Sequence, residues 1–234
     1  MSVAPAPRES LLGVARTREY RWRLWILLAS QPVLAAIGGA FGAYRGTFME
    51  PQFGEAAAIT CIVLSCVGVF LRIWASSYLE SRVMASGAAN ADLLVTDGPY
   101  AWCRNPLYVG TLLLILAMSV LYGPWIFLAV LVWHVIRYER IAAYEEMHLR
   151  GRWGAHFDDY AAHVHRWLPN PFRSRLSDVV VRRQGILSNS LFVAIGIGNV
   201  LFALNGSAWW LIGCGLASAP VMIFVHRKRI RQLF

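Results

Sequence analysis

The chain has 234 residues, 57% of them hydrophobic and 15% charged, with a formal net charge of +9 and a mean hydropathy of +0.48. Soluble domains carry roughly 25% charged residues, so this composition excludes an ordinary soluble globule and points to a polytopic membrane protein. The positive charge does not point to nucleic acid, because the Arg residues sit between apolar runs, where they act as topology signals.

Residues 1–21 read as a polar, Arg-containing cytoplasmic segment without the marks of a cleavable leader. Six apolar runs follow, several near the ~20 residues that cross a ~30 Å hydrocarbon core. They are 22–44, 56–79, 107–122, 124–141, 186–204 and 208–226. The first holds Gln31-Pro32, a kink signal, and Gly38 and Gly42, a weak packing motif. Runs three and four are short and joined by Tyr122-Gly123-Pro124; runs five and six are joined by Asn205-Gly206-Ser207. The expected fold is an all-α, polytopic membrane helical bundle with about six transmembrane helices. Lys and Arg crowd one face of it, which puts both termini in the cytoplasm. The expected location is a bacterial inner membrane. A membrane core over 22–170 and an added two-helix extension over 171–234 are expected.

Only two cytoplasmic segments have room for a site. The first contains Leu94-Val95-Thr96-Asp97-Gly98-Pro99-Tyr100-Ala101-Trp102-Cys103-Arg104-Asn105-Pro106-Leu107-Tyr108-Val109-Gly110. Asp-Gly-Pro is a turn signal, and Gly98 permits positive φ or a close approach. Pro106 suits a first helical turn, which places Arg104 and Asn105 at a helix N-terminus. Free N–H groups there favour an anionic ligand group such as a carboxylate. A membrane-entry loop would use the same residues as a charge anchor and an aromatic belt.

The second segment begins where Glu145-Glu146 continues the fourth helix. Arg137, Arg140 and Tyr144 share one face of it by 3–4 spacing. A local salt bridge between either Glu and Arg140 or Arg150 is the plain alternative to a site. Over 147–167, Trp153, Phe157, Tyr160, Val164 and Trp167 recur at helical spacing, as in an interfacial amphipathic helix capping a site. His156, His163 and His165 fall on its solvated faces. Arg72, inside the second run, either snorkels to the interface or meets a buried carboxylate. The four Cys (Cys61, Cys66, Cys103, Cys214) have no metal-ligand spacing, and no metal is expected.

Together the two segments resemble the motifs of the isoprenylcysteine carboxyl methyltransferases and the related phospholipid N-methyltransferases, over about residues 60–170. Arg72-Ile73-Trp74-Ala75 is similar to an upstream Arg element of that family. The resemblance implies S-adenosylmethionine as methyl donor, in a cytoplasmic pocket without a dinucleotide-type fold. Gly196 and Gly198 lie in an apolar run and offer no such fold. By resemblance, the backbone at Leu93, Leu94 and Val95, with Tyr100, Asn105, Tyr108 and Glu145, contacts the cofactor. Gly98 and Pro106 shape that loop, and Arg104 with the helix N-terminus would take the cofactor's carboxylate.

Two departures bear on the acceptor. Asn105 stands where the carboxyl methyltransferases have His. Ile141 stands where they have a substrate-binding Arg, with Arg140 adjacent and Arg137 a turn away. The expected acceptor is lipid-like or isoprenoid, with O-, N- or S-methylation open. Arg140 is the candidate substrate Arg. Glu146 or Tyr144 is the candidate base for an amine acceptor. Membrane lipids are the other expected partners. A sterol-type NADPH reductase and a non-catalytic membrane protein are the rival classes.

Overall fold

The computed structural model describes residues 12–23, 51–79, 92–168, 179–206 and 209–230, with Ile26, Leu27, Ala29, Val33 and Asn170. The described residues form helices α1 (Thr17–Arg21), α2 (Pro51–Tyr78), α3 (Pro99–Trp102), α4 (Pro106–Val120), α5 (Pro124–Trp153), α6 (Ala155–His163), α7 (Arg183–Ser188), α8 (Ser190–Asn205) and α9 (Trp209–Ile230). The all-α expectation holds, with no strand among these residues.

By length and composition one described helix, over Gly54–Tyr78, could cross a membrane; Pro106–Val120 and Ser190–Asn205 are shorter apolar helices. Most of the expected run 22–44, including Gln31-Pro32, Gly38 and Gly42, lies outside the described residues. The outer face of α5 leaves Trp125, Leu128, Val132, Trp133, Val135 and Ile136 exposed. Trp209, Leu216 and Phe224 do the same on α9.

Proline and glycine set most helix limits. Pro99, Pro106 and Pro124 each sit in a first turn, where the missing N–H has no helical partner to lose. Helix α8 ends on Gly206 in the left-handed conformation, whose N–H reaches the Phe202 carbonyl at 2.8 Å. Two expected boundaries shift. The fifth run breaks at Asn189, between α7 and α8. The amphipathic segment 147–167 is not one helix: α5 runs on to Trp153, Gly154 turns the chain at φ 52°, and α6 ends where Val164 becomes extended.

Helix α2 is the centre of the packing, with α4 on one side and α7 and α8 on another. Gly68 and Gly110 let α2 and α4 touch backbone to backbone. A Cβ on either would stand 2.8 Å from the other's carbonyl oxygen. Asn199 of α8 donates to Ser65 of α2 at 3.2 Å and to the Leu114 carbonyl of α4 at 3.0 Å, tying three helices at one buried amide. One apolar cluster joins Cys61, Ala117, Leu121 and Phe202; another joins Tyr20, Ile115, Tyr138 and Ile141.

Arg72 is buried and meets neutral partners. It donates to Asn189 Oδ1 at 2.9 Å, to the Leu107 carbonyl at 3.2 Å and to Thr111. Phe192 lies under its guanidinium at 3.3 Å. A buried carboxylate, one of the two readings of Arg72, is not among these partners. Residues after 178 thus grip the centre of the molecule.

Gly68→Val should cost about 1–3 kcal/mol by overpacking this contact and lower the melting temperature in detergent, whereas Gly123→Ala, with open space around its Cβ, should cost less despite its positive φ.

Candidate functional site

The two polar segments meet at Glu146, in the C-terminal half of α5. Arg104 approaches from the loop before α4 and Arg166 from the chain after α6. Arg104 donates to both carboxylate oxygens at 3.0 and 3.2 Å, and Arg166 does so at 3.1 and 2.8 Å. Asn105 adds a long contact at 3.5 Å. The side chains of Arg104, Glu146 and Arg166 are 10%, 7% and 14% exposed. Arg166 also pairs with Glu139, which accepts from the Trp167 indole at 2.5 Å. Two positive and two negative charges therefore balance. Burial alone would raise the Glu146 carboxyl, but hydrogen bonds and charge from Arg166 and Arg104 outweigh it and hold it below the usual carboxylate range.

This geometry corrects two expected roles. Arg104 gives both Nη1 hydrogens to the Ala161 and Val164 carbonyls at 2.9 and 2.6 Å, so four of its five N–H groups are engaged within the protein rather than left for a ligand carboxylate. Glu146 is doubly paired and ionised, which makes it a poor proton acceptor. Neither role could be read locally, because Arg166 arrives from 20 residues away. The same clamp holds the post-α6 chain against the first loop. The Arg104 N–H reaches the His165 carbonyl at 2.9 Å, and the Asn170 N–H reaches Trp102 at 3.0 Å.

Glu145 sits on the neighbouring stripe and faces a different group. Its Oε1 accepts from Tyr108 at 2.8 Å and Tyr20 at 2.6 Å. Its Oε2 makes no hydrogen bond among the described residues. Tyr20 is the residue that sequence reasoning missed, since nothing in a distant polar segment marks it. Its ring lies 4.9 Å from that of Tyr144, with Arg23 at 4.0 Å on its face. Burial and the Glu145 charge push the Tyr20 phenol well up, so it stays a protonated donor.

The segment around Tyr20 straps onto α5. Ala15 donates to the Arg140 carbonyl at 3.0 Å. Arg140 pairs with Glu19 at 3.1 Å and donates to the Leu12 carbonyl at 2.9 Å. Arg140, expected as the substrate Arg, is thus a strap residue. Tyr144 is buried between Tyr20 and His148, as a wall rather than a base.

The first segment packs beside these groups. Gly98 has φ 58° and is wedged against Tyr78, whose ring a Cβ would meet at 2.4 Å; only glycine serves there. Leu94 and Val95 are half-buried and Leu93 is exposed. Pro106 is buried at the start of α4, and Asn105 reaches the Arg166 carbonyl at 3.4 Å. Tyr160 donates to the Tyr100 carbonyl at 2.8 Å. The Tyr100 hydroxyl and the Trp102 indole N–H are buried without a hydrogen-bond partner among the described residues. Burial pushes the Tyr100 phenol well up.

These groups have the chemistry that adenosylmethionine would need. Native buried polar atoms are nearly always satisfied. Two orphaned donors and a half-used carboxylate lie among aromatic faces that suit a sulfonium. The residues that fit are Tyr100, Trp102, Tyr108 and Glu145; Arg104 does not.

Residues 56–156 match the model of the phospholipid methyltransferase family. The stretch from α2 through the start of α6 is thus similar to that family of methyltransferases, as the two motifs implied. Among named proteins, the chain is similar to the nickel-cobalt-cadmium resistance protein NccN of Alcaligenes xylosoxydans xylosoxydans. They are 29% identical over 230 residues, covering 96% of this chain and 91% of that protein. It is also similar to the cobalt-zinc-cadmium resistance protein CzcN of Cupriavidus metallidurans, 31% identical over 102 residues, covering 42% of this chain and 38% of that protein. No solved structure matches the chain significantly.

Glu146→Ala should cost about 3–5 kcal/mol, because it strands two buried guanidiniums. The sign with pH follows from the lowered carboxyl. Its stabilisation is present above the unfolded pKa of about 4.3 and lost as pH falls through the lower folded value. Melting temperature against pH should therefore fall steeply below pH about 4 in the native protein, and less steeply in Glu146→Gln, which starts lower at neutral pH.

Proposed function

We propose that this chain is a multi-pass membrane methyltransferase that uses S-adenosylmethionine to methylate a lipid-like or isoprenoid acceptor at the cytoplasmic face. The observation that carries the reading is that the two family segments are tied together, Arg104 to Glu146 and Tyr108 to Glu145. The exposed apolar faces of α5 and α9 support a bilayer around the bundle, since such surface is costly in water. About six spans, with both termini inside, remains our reading of the topology.

When bound, adenosylmethionine supplies a methyl group made electrophilic by its sulfonium. The chain's own residues hold, orient and dry the site. Glu145 would take hydroxyl or ammonium donors on its open Oε2. Tyr100 and Trp102 would donate to polar edges of the ligand. The half-buried backbone at Leu94 and Val95 would line its flat part. Tyr20, Tyr108 and Tyr144 would exclude water, so that positioning supplies most of the rate. A carboxylate or thiolate acceptor needs no base. An amine acceptor would lose its proton toward Glu145 or solvent, since Glu146 is committed to its two Arg partners.

Calorimetric titration of the detergent-purified protein should give saturable binding of S-adenosylhomocysteine and none of NADPH. Glu145→Ala should weaken that binding roughly tenfold or more, with Tyr108→Phe smaller and in the same direction. Unchanged affinity in both variants would refute the site, and an NADPH signal would move the protein to the reductase class.

A further inference from the structure

The segment before the first apolar run lies across α5 with two unlike faces. Ala15 and Tyr20 are 4% and 3% exposed and belong to the apolar cluster of Tyr138, Ile141 and Tyr144. Arg16, Thr17, Arg18, Arg21 and Trp22 are exposed. The segment is fastened to successive turns of α5. Arg137 donates to the Arg23 carbonyl at 2.5 Å, and the Ala15 N–H reaches the Arg140 carbonyl at 3.0 Å. Arg140 donates to the Leu12 carbonyl at 2.9 Å and to Glu19 at 3.1 Å, and Tyr20 donates to Glu145 at 2.6 Å.

Little of this order comes from the segment itself. Its helix α1 has five residues and no side-chain cap at Arg16, and isolated helices shorter than about 12 residues are marginal in water. The Arg140 and Glu19 side chains are 29% and 26% exposed. A pair so placed shifts an opening equilibrium only a few-fold. A segment held this way opens locally well before the protein unfolds.

The strap touches Glu145 in a particular way. Tyr20 and Tyr108 donate to the same oxygen, Oε1. Tyr108 is built into α4, whereas Tyr20 travels with the strap. Arg23 travels with it too, stands 4.0 Å over the Tyr20 ring and feels the Glu145 charge. The closed strap therefore brings a donor, an aromatic ring and a positive charge to one carboxylate. Fastening alone would be served better by an apolar residue at position 20, because a polar one must be paid for with a partner when it is buried. Lifting the strap uncovers Glu145, and closing it restores the donor that fixes the carboxylate.

We propose that residues 12–23 form a gate over Glu145, which lifts to admit the ligand and closes to retain it. The Arg140–Glu19 pair is its latch, and Tyr20 is the positioning residue that fixes the carboxylate in the closed form. The motion rests on the strap's own contacts; the ligand it admits rests on the methyltransferase reading.

Two measurements on the full chain in dodecyl maltoside micelles test the gate. Hydrogen exchange in the ligand-free protein reads the motion. Amides of residues 14–22 should exchange well before those of α2, and Glu19→Gln should speed them about two- to fivefold with α2 unchanged. Uptake and release of tritiated S-adenosylhomocysteine read the gating. Glu19→Gln should speed association as well as release, whereas loosened packing would speed release alone. Tyr20→Phe, which keeps the ring, should speed release about tenfold. Saturating S-adenosylhomocysteine should slow exchange of the strap in the native protein. The gate is overturned if the strap amides are as protected as those of α2, if Glu19→Gln leaves their exchange at the native rate, or if the analogue binds and neither association nor strap exchange responds. Should no sample bind the analogue while strap exchange still responds to Glu19→Gln, the methyltransferase reading falls and the moving strap stands.

Discussion

Glu146 carries its charge where little water reaches, and Arg104 and Arg166 close on it from two distant parts of the chain. In such surroundings the pair energies are large, and so is the cost of breaking them. The arrangement therefore does more than add stability. It fixes the loop before α4 against α5, and it pulls the chain after α6 over both. The backbone bonds Arg104 to His165 and Asn170 to Trp102 follow from that closure. Because successive residues on a helix point about 100° apart, holding Glu146 toward the two Arg residues turns Glu145 toward Tyr108 and Tyr20. One buried charge cluster thus orients the carboxylate that Tyr108 and Tyr20 hold.

A second constraint lies at the level of α2. Contact through Gly68 and Gly110 sets the distance between α2 and α4, and Arg72 reaches across it to Leu107 and Thr111 at the beginning of α4. Asn189 takes the Nε of the same guanidinium and donates to Ser76 at 2.5 Å and to Gly185 at 2.7 Å. The start of α4 is where Tyr108 stands. The C-terminal helices therefore reach the start of α4 through Asn189 and Arg72.

Much of this was legible from residue order. Apolar length gave the long helices, and Pro106, Pro124 and Gly206 gave their ends, because these residues act through local backbone geometry. The pairing of the two polar segments was legible from the hairpin of α4 and α5 between them. What could not be read were partners chosen by tertiary approach. Arg104 looked like an anion ligand because its spacing from a helix N-terminus suits one, but a guanidinium's partner is whatever carboxylate arrives, and Glu146 arrives. Arg166 lies at the end of the expected amphipathic segment 147–167, beyond the point where its helix stops at His163. Tyr20 and Asn189 have no periodic or motif signal at all. Gly154 was visible, yet a lone glycine does not announce whether a helix will bend there or continue.

The central claim is that the segments around Tyr100–Tyr108 and Tyr144–Glu146 form one adenosylmethionine pocket. Ultraviolet cross-linking of radiolabelled adenosylmethionine to the purified full chain, followed by peptide mapping, tests it most directly. The account predicts label in peptides spanning 92–108 or 138–146, displaced by excess S-adenosylhomocysteine. Label that is not displaced, or that falls only within 190–230, would contradict it.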